Sequence, residues 1–251
     1  YITNKIINNS FRATDANVGQ AGTLDLFKLY AESTSGSIKT PTELSRILIK
    51  FDLSPVNSMH QRGLIDITDS SFVCTLKLHD VYGGQTTPNK FRAIVFPLSK
   101  SFDEGIGFDV AQYQDLDACN FITASYQNGV YDAWNYQGAR ASGSLGASDI
   151  DVITSGTLGT AAGAQTVSLS PDQYFETGEE DLEIDITTIV SGTITGQIPD
   201  HGLVVAFSGS HELDDKTYFV KRFASRNSQK ESSRPVIEVA YDDTLQDKFF
   251  F

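Results

Sequence analysis

The sequence predicts a single all-β domain, a β-sandwich that carries one long loop-rich insertion. Two observations favour strands over helices. The 16 Phe and 10 Tyr residues far outnumber the single Trp and single Met, and aromatic side chains suit pleated surfaces. Apolar and polar residues also alternate with a period of two in separate segments along the chain. A length of 251 residues fits one sandwich, so residues 1–251 are interpreted as one domain.

The alternating segments are the predicted strands. Each places apolar side chains on one face and polar side chains on the other, as a half-buried strand requires. Clusters of Gly, Pro, Asn, Asp and Ser separate them and supply the backbone angles and side-chain caps of turns. In chain order, the predicted strands are 23–30, 45–53, 71–81, 90–98, 181–190, 202–209, 217–225 and 235–242.

Strand 45–53 also gives a prediction for individual side chains. Its alternation places Ile47, Ile49 and Phe51 on the buried face and Leu48 and Lys50 on the opposite face. A one-residue slip would exchange the faces, so only one of them is expected to be fully apolar.

Residues 101–171 interrupt this pattern and are interpreted as an insertion. They are rich in Gly, Ala, Ser and Asn, and their apolar residues are sparse and irregular. Residues 108–123 could hold a short helix, and the chain from about Ala139 onward reads as long loops with an edge hairpin. Loops of this length usually carry function or contact a partner. The alternative is a linker followed by a second small domain.

The charge of the chain argues against one class of partner. Its 32 acidic and 19 basic residues give a formal net charge of -13, and this field repels the phosphate backbone of nucleic acids. No apolar run approaches the length of about 20 residues that a membrane span needs. The first residues lack the layout of a signal peptide, which a mature chain would already have lost. We expect neither a nucleic acid nor a membrane as partner.

The chain contains two cysteines, Cys74 and Cys119. They are too few for a disulfide framework or a cysteine-rich zinc site. Cys74 lies within an alternating segment and is interpreted as a small buried apolar residue.

Four pieces of sequence, in this order, carry a resemblance to a known family. They are NVGQAGTLDL, SRILIKFDLS, CTLKL and the closing FASR followed by RPVIEVAY. The succession resembles the DNRLRE-type domain, a β-sandwich of jelly-roll topology related in architecture to carbohydrate-binding modules. Such domains occur on bacterial surface proteins, on secreted enzymes and in the virions of tailed phages. The pieces lie toward the two ends of the chain, and the middle third is only loosely matched.

The resemblance implies a jelly-roll fold and roles for two arginines. Strands 217–225 and 235–242 would be antiparallel neighbours. Arg226 matches the arginine of the family and is expected to hold the connecting loop by donating hydrogen bonds to carbonyls. Arg234 precedes a proline, which favours the extended entry into the last strand. Many members have a tryptophan where this chain has Phe102, so no site of the middle third is carried over.

The sequence contains no recognisable catalytic motif, and we expect no enzyme. The histidines His60, His79, His201 and His211 do not lie in a nucleophile elbow or a metal-binding helix motif. Residues 208–215 bring Ser, His, Glu and Asp together, but their position between two strands favours a solvated turn. The many carboxylate pairs of an acidic chain are weak indications of a glycosidase.

A calcium site is the one cofactor that these loops could take. Jelly rolls often fix loops with calcium, which binds six to eight oxygen atoms. Asp149 and Asp151 form a D-x-D pair and are the candidate ligands. The pair lacks the Gly and Glu of an EF-hand loop, and its alternative interpretation is surface.

Four aromatic residues of the insertion are the candidate binding residues for a protein partner or a glycan. Exposed aromatic rings serve both purposes. The alternative is that they cover one end of the core. The residues are Tyr126, Tyr131, Trp134 and Tyr136.

Three functions from different classes remain at this point. The leading one is a structural protein located in a tailed-phage virion, which contacts other virion proteins and forms a homo-oligomer or symmetric assembly. The second is a carbohydrate-binding or adhesion module that binds surface glycans. The third is a hydrolase. The long Gly-, Ala- and Ser-rich loops favour the first, because they suit docking between subunits.

Overall fold

The computed structural model describes residues 2–4, 6–7, 11–35, 38–81, 90–108, 117–160 and 163–243. These residues form mainly β-strands in antiparallel sheets, with short helices between them. The prediction of an all-β sandwich is confirmed.

Strands account for most of the regular structure. In chain order they are β1 Ile2–Asn4, β2 Ile6–Ile7, β3 Phe11–Arg12, β4 Thr23–Ser35, β5 Ile38–Ile49, β6 Val73–Leu78, β7 Phe91–Pro97, β8 Thr123–Gln127, β9 Val130–Ala133, β10 Ser142–Ser144, β11 Val152–Leu158, β12 Gln165–Ser168, β13 Asp172–Phe175, β14 Leu182–Asp185, β15 Leu203–Phe207, β16 Tyr218–Ala224 and β17 Val236–Ala240. The helices are α1 Ser54–Gln61, α2 Thr187–Ile194, α3 Gly209–Leu213 and a 3-10 turn at Glu231–Ser233.

Two sheets build the sandwich. The main sheet has the order β13-β7-β15-β5-β4-β16, and β1 also pairs with β5. The second sheet has the order β14-β6-β17. The expected antiparallel pairing of strands 217–225 and 235–242 is therefore wrong, because β16 pairs with β4 and β17 pairs with β6. A bridge between Asp80 and Phe223 joins the end of β6 to β16, so the two sheets meet at one side.

The principal core lies between these two sheets. The main sheet contributes Leu26, Ile47, Val95 and Val205, and the second sheet contributes Leu76, among others. Phe91 also lies in this core; its ring stacks on that of Phe175 at 4.6 Å and meets that of Phe207 edge-on at 5.4 Å. Cys74 is fully buried here, as expected from its place in an alternating strand.

Strand 45–53 divides its side chains between two faces as predicted, but the face that carries Leu48 is also covered. Ile47 is fully buried in the principal core, and Ile49 and Phe51 pack partly against it, as predicted. Leu48 is also buried, at 8 % exposure, on the opposite face of the sheet. It belongs to a second apolar cluster that includes Val204 and residues of the insertion. Only Lys50 is exposed, as expected.

The predicted strand 181–190 is half wrong, because the strand ends at Asp185 and a helix begins at Thr187. The Asp185 carboxylate accepts hydrogen bonds from the amide and the hydroxyl of Thr187 (2.8 and 2.6 Å). This side-chain turn competes with strand hydrogen bonding. Helix α2 follows directly and buries Ile189 and Val190.

The insertion is more regular than the sequence predicts. It contains five short strands, β8 to β12, in a hairpin and a three-stranded sheet. Residues 109–116 of the predicted helix lie outside the described residues, and residues 117–122 are not helical. Asn120 instead forms a turn there, where its side-chain oxygen accepts the amides of Ile122 and Thr123. The second apolar cluster joins the insertion to the outer face of the main sheet.

Candidate functional site

The hairpin β8–β9 and the residues next to it present several exposed apolar side chains of the insertion. Asn128 and Gly129 form its two-residue turn with positive φ angles of 54° and 83°, the geometry that an Asn-Gly pair favours. The register pairs Tyr126 with Tyr131 and places Val130 next to the turn. We call the exposed apolar side chains of this hairpin and its flanks the hairpin surface: Ile122, Val130, Tyr131 and Tyr136.

The four predicted aromatic residues differ in accessibility. Tyr131 and Tyr136 are 54 % and 57 % exposed. Tyr126 is half-buried, and its ring centroid lies 4.5 Å from that of Tyr131. The Arg140 guanidinium lies 4.7 Å from the ring centre of Tyr136. Two tyrosines of the candidate set therefore have ring surface available to a partner.

Trp134 does not have such a surface, because it is only 5 % exposed. Its indole N–H donates to the carbonyl of Asn120 (3.0 Å), and its ring belongs to the second apolar cluster with Leu48 and Val204. The expectation that Trp134 contacts a partner is replaced by a structural role. It fastens the base of the hairpin to the main sheet.

The expected calcium pair is not formed by Asp149 and Asp151. Asp151 is fully buried, and its two carboxylate oxygens accept the backbone amides of Asn135, Tyr136 and Ala141 at 2.7 to 3.0 Å. Its oxygens therefore hold a loop, and the alternative interpretation as surface is wrong for Asp151. Asp149 is exposed. Among the described residues, no cluster of three or more His, Cys, Asp or Glu residues is arranged to bind a metal ion.

Arg226 contacts the insertion instead of the carbonyls of its own loop. Its guanidinium donates to both carboxylate oxygens of Glu104 at 2.7 and 2.6 Å. Both side chains are about half exposed, and ion pairs of this kind contribute about 1 kcal/mol or less. Arg234 does contact the connecting loop, because its Nε donates to the carbonyl of Ser228 (3.1 Å).

A groove of about 350 Å³ runs along the seam between the sandwich and the insertion. Its apolar walls come from both sides, with Leu48 and Phe51 from the sandwich and Phe102 from the insertion. The Arg226–Glu104 pair lies on its rim. Apolar walls with a few polar groups are typical of a small-molecule site.

Asn17 closes one end of this seam. Its side-chain amide donates to the carbonyls of Glu104 and Cys119 at 2.7 and 2.8 Å, and its oxygen accepts the amide of Gly107. Gly105 has a φ angle of +77°, and a Cβ there would lie 2.5 Å from the Asn17 side chain. Only glycine fits this position, so the backbone of the seam is closely fixed.

The segment 208–215 is not the solvated turn that the sequence predicts. Helix α3 buries Glu212, whose carboxylate accepts two hydrogen bonds from Arg46 at 2.8 and 2.7 Å. The fully buried Lys28 donates to the carboxylate of Asp214 and to two carbonyls of the segment. These charged contacts fix the segment against β4 and β5.

Ser208 and His211 form the shortest nucleophile–base contact of this segment. The Ser208 hydroxyl lies 2.7 Å from His211 Nδ1. Burial lowers the pKa of His211 below its usual range. The nearby Asp214 carboxylate bonds to Lys28 and Tyr218, so it does not orient the imidazole as the third member of a catalytic triad does.

Both thiols are unreactive in this environment. Burial raises the pKa of Cys74 to about 12 and that of Cys119 well above its usual range. Thiolate is the nucleophilic form of cysteine, so neither residue is a nucleophile at neutral pH.

The buried cations Lys28 and Lys221 were not predicted, although their positions in the alternating pattern indicate burial. Lys28 continues the apolar face of Leu24 and Leu26, and Lys221 shares a face with Phe223. Lys221 donates to the Asp80 carboxylate at 2.6 Å. A cation on the apolar face of a strand indicates a buried ion pair, since burial requires a partner.

Comparison with known proteins gives no family, curated protein or solved structure that matches this chain. In the described part of the chain, no helix is long and apolar enough to cross a membrane.

Proposed function

We propose that this chain is a structural protein of a tailed-phage virion, which acts through protein–protein contacts made by the hairpin surface. The observation that supports this proposal best is the exposure of β9. All four residues of this strand are exposed, including Val130 at 67 % and Tyr131 at 54 %. Val130 and Tyr131 point to opposite faces of this strand, so both faces offer apolar surface, and exposed apolar surface is typical of interaction sites.

The base of the hairpin is fixed while its tip is exposed. Trp134 is buried at the end of β9, and the Asp151 carboxylate binds the amides of the next two residues. A two-stranded hairpin alone is marginally stable in water, and these contacts hold it in one conformation. A surface that is ordered before binding loses less conformational entropy when a partner docks.

The virion assignment is supported by the resemblance to DNRLRE-type domains. The pieces that carry it correspond to the described strands β4, β5, β6, β16 and β17. The Ser208–His211 contact does not compete with it as a catalytic triad, since the Asp214 carboxylate bonds to Lys28 and Tyr218.

The test is incorporation into particles. Mass spectrometry of gradient-purified particles should detect the chain in a constant ratio to the major capsid protein. The double variant Val130→Ser/Tyr131→Ser should lower incorporation at least tenfold, because apolar and aromatic anchors dominate interface energies. Leu213→Ser is the matched control, since Leu213 is 79 % exposed but lies outside the insertion. Absence of the chain from particles, or equal incorporation of both variants, would refute the proposal.

Carbohydrate binding is the second candidate, and the same hairpin supports it. Tyr131 offers an exposed ring backed by Tyr126 at 4.5 Å and is followed in β9 by the exposed Asp132. An aromatic face with polar neighbours is what sugar rings stack on. Glycan-array binding that is lost in Tyr131→Ala, by a chain that is absent from particles, would favour this candidate over the first.

A further inference from the structure

Strand β17 forms an edge of the second sheet. It pairs with β6 through five residue pairs, from Val236–Lys77 to Ala240–Val73. The described part of the chain places no strand on its other side. An unpaired edge offers a row of backbone donors and acceptors to another strand.

The bonds of Cys74 show which groups of β17 face this edge. The Cys74 amide donates to the Thr187 hydroxyl (2.9 Å), and the Cys74 carbonyl accepts from the amide of Ile186 (2.8 Å). Both groups therefore point away from β17, and Cys74 and its partner Val239 form a non-hydrogen-bonded pair. The backbone groups of Val239 then point to the outer edge.

The same alternation assigns the neighbouring residues. Ile237 is two residues before Val239, so its amide and carbonyl also point outward, as do those of Tyr241 in an extended continuation. The Asp242 amide donates to the Ser71 hydroxyl at 3.0 Å, on the inner side, which agrees with this alternation. Three residues thus offer outward amides and carbonyls.

The edge has little of the protection that exposed edges usually carry. Val236 and Tyr241 are exposed, and Ile237 and Val239 are half-buried against the core. Within β17 itself the one charged residue is Glu238, which pairs with Lys77 of the adjacent strand. Charged, bulged or proline-interrupted edges resist pairing, and apart from Glu238 this strand has these features only at its ends.

We propose that β17 pairs antiparallel with β17 of a second copy of this chain, about a two-fold axis at Val239. In this register Val239 faces Val239, and Ile237 faces Tyr241 of the other copy. The outward amides and carbonyls of all three residues are then satisfied on both chains. The second sheets of two copies become one continuous six-stranded sheet. An isologous pair of this kind uses one surface patch twice.

Two other two-fold registers are disfavoured by the side chains. A centre at Glu238 would place two glutamates directly opposite each other, which is destabilising. A centre at Ile237 would place Pro235 opposite Val239, and proline has no amide to donate. With the centre at Val239, Glu238 faces Ala240 of the other copy. This complementarity of the edge to itself is the reason for choosing a second copy as the partner.

The net charge sets how this dimer should respond to salt. Each chain carries a formal charge of -13, so two copies repel each other at low ionic strength. Screening shortens this repulsion to a range of about 10 Å at 0.1 M salt. The dimer should therefore tighten as salt is added, whereas a basic peptide strand bound to the same edge would weaken.

The test is analytical ultracentrifugation of the purified chain and of variants at Ala240, which is exposed on the sheet face. Ala240→Lys should lower the Kd of the dimer about tenfold, and Ala240→Glu should raise it about tenfold. In the dimer each new side chain at 240 faces Glu238 of the other copy, and each of these two contacts changes Kd about threefold. The double variant Glu238→Lys/Ala240→Glu should restore the dimer. Melting temperatures of the monomers serve as the folding control.

Two results would overturn this inference. One is a wild-type chain that stays monomeric up to about 0.5 mM in 0.5 M salt, a range in which weak dimers are detectable. The other is a dimer whose Kd moves in the same direction in both Ala240 variants. The inference goes beyond the proposed function and does not depend on it, because solution dimerisation is measured without particles.

Discussion

Between its two sheets the sandwich is packed mainly by hydrophobic side chains, whereas the loops of the insertion are held in place largely by buried polar side chains. Ile47 and Leu76 represent the first region, with no exposed surface. Asn120 and Asp151 represent the second, and both bind backbone amides. The apolar cluster beneath the insertion is small and includes Trp134. The sandwich is thus stabilised by burial of apolar side chains, and the insertion by hydrogen bonds between its loop amides and buried polar side chains.

The largest expected effect is in the principal core. Ile47→Asp would place a carboxylate without a partner among apolar side chains, and the cost is comparable to the whole stability of a domain, about 5 kcal/mol or more. We expect no cooperative melting transition in circular dichroism. Lys50→Asp, three residues along the chain, directly after β5 and exposed, should melt within a few degrees of the wild type. A folded Ile47→Asp chain would show that the face assignment of β5 is wrong.

Trp134→Ala tests whether the insertion depends on the second cluster. Loss of a buried tryptophan costs about 3–5 kcal/mol, so the melting temperature should fall clearly. Tyr136→Ala, two residues away and exposed, should change it little. Normal melting of Trp134→Ala together with lost particle incorporation would instead assign Trp134 to an interface.

Asp151→Asn tests how much the buried polar side chains stabilise the insertion. Asparagine has one acceptor oxygen in place of two and turns an N–H toward the amides that Asp151 binds, so we expect a loss of about 2 kcal/mol in the free energy of unfolding. Urea unfolding measures it. Asp149→Asn is the control, since Asp149 is exposed. Equal stability of the two variants would show that the amide bonds of Asp151 do not hold the loop.

The smallest effect concerns Glu180 and its pH dependence. Burial alone would raise the pKa of Glu180, but hydrogen bonds from the amides of Thr177 and Glu176 lower it to about 2. A lowered folded-state pKa stabilises the fold above the ordinary value of 4.5, and this stabilisation is lost as the pH falls toward 2. Glu180→Gln should flatten the decrease in melting temperature across that window. Glu179→Gln should leave the decrease unchanged.

The sequence predicts the sandwich better than the insertion for a physical reason. A strand with one face in the core and the other in solvent alternates apolar and polar residues. This pattern located β4, β5, β6, β7, β15, β16 and β17. It failed at Leu48, where both faces of a strand are covered, and at Asp185, where a side-chain turn starts a helix. In the insertion the deciding contacts join Asp151 and Asn120 to backbone amides. Such contacts produce no periodic pattern of apolar and polar residues in the sequence.

The candidate site was located in part by the same reasoning. The tyrosines of this site were identified from the sequence, and Tyr131 and Tyr136 are exposed. The burial of Trp134 was not visible, because nothing in residues 126–136 distinguishes a ring that faces the main sheet from one that faces solvent. The contact between Arg226 and Glu104 joins residues 122 positions apart, and local patterns do not contain such pairs.

The chemical reactivity of the two buried lysines reports local opening of the fold. The side chains of Lys28 and Lys221 have 0 % and 1 % exposure, whereas those of Lys50 and Lys90 have 48 % and 61 %. An acylating reagent reaches only an unprotonated, accessible amine, so Lys50 and Lys90 react in the native state. Lys28 reacts only when the segment 208–215 detaches from β4, and Lys221 only when β16 separates from the residues after β6. Labelling rates at the two positions therefore measure, by mass spectrometry, how often each side of the sandwich opens.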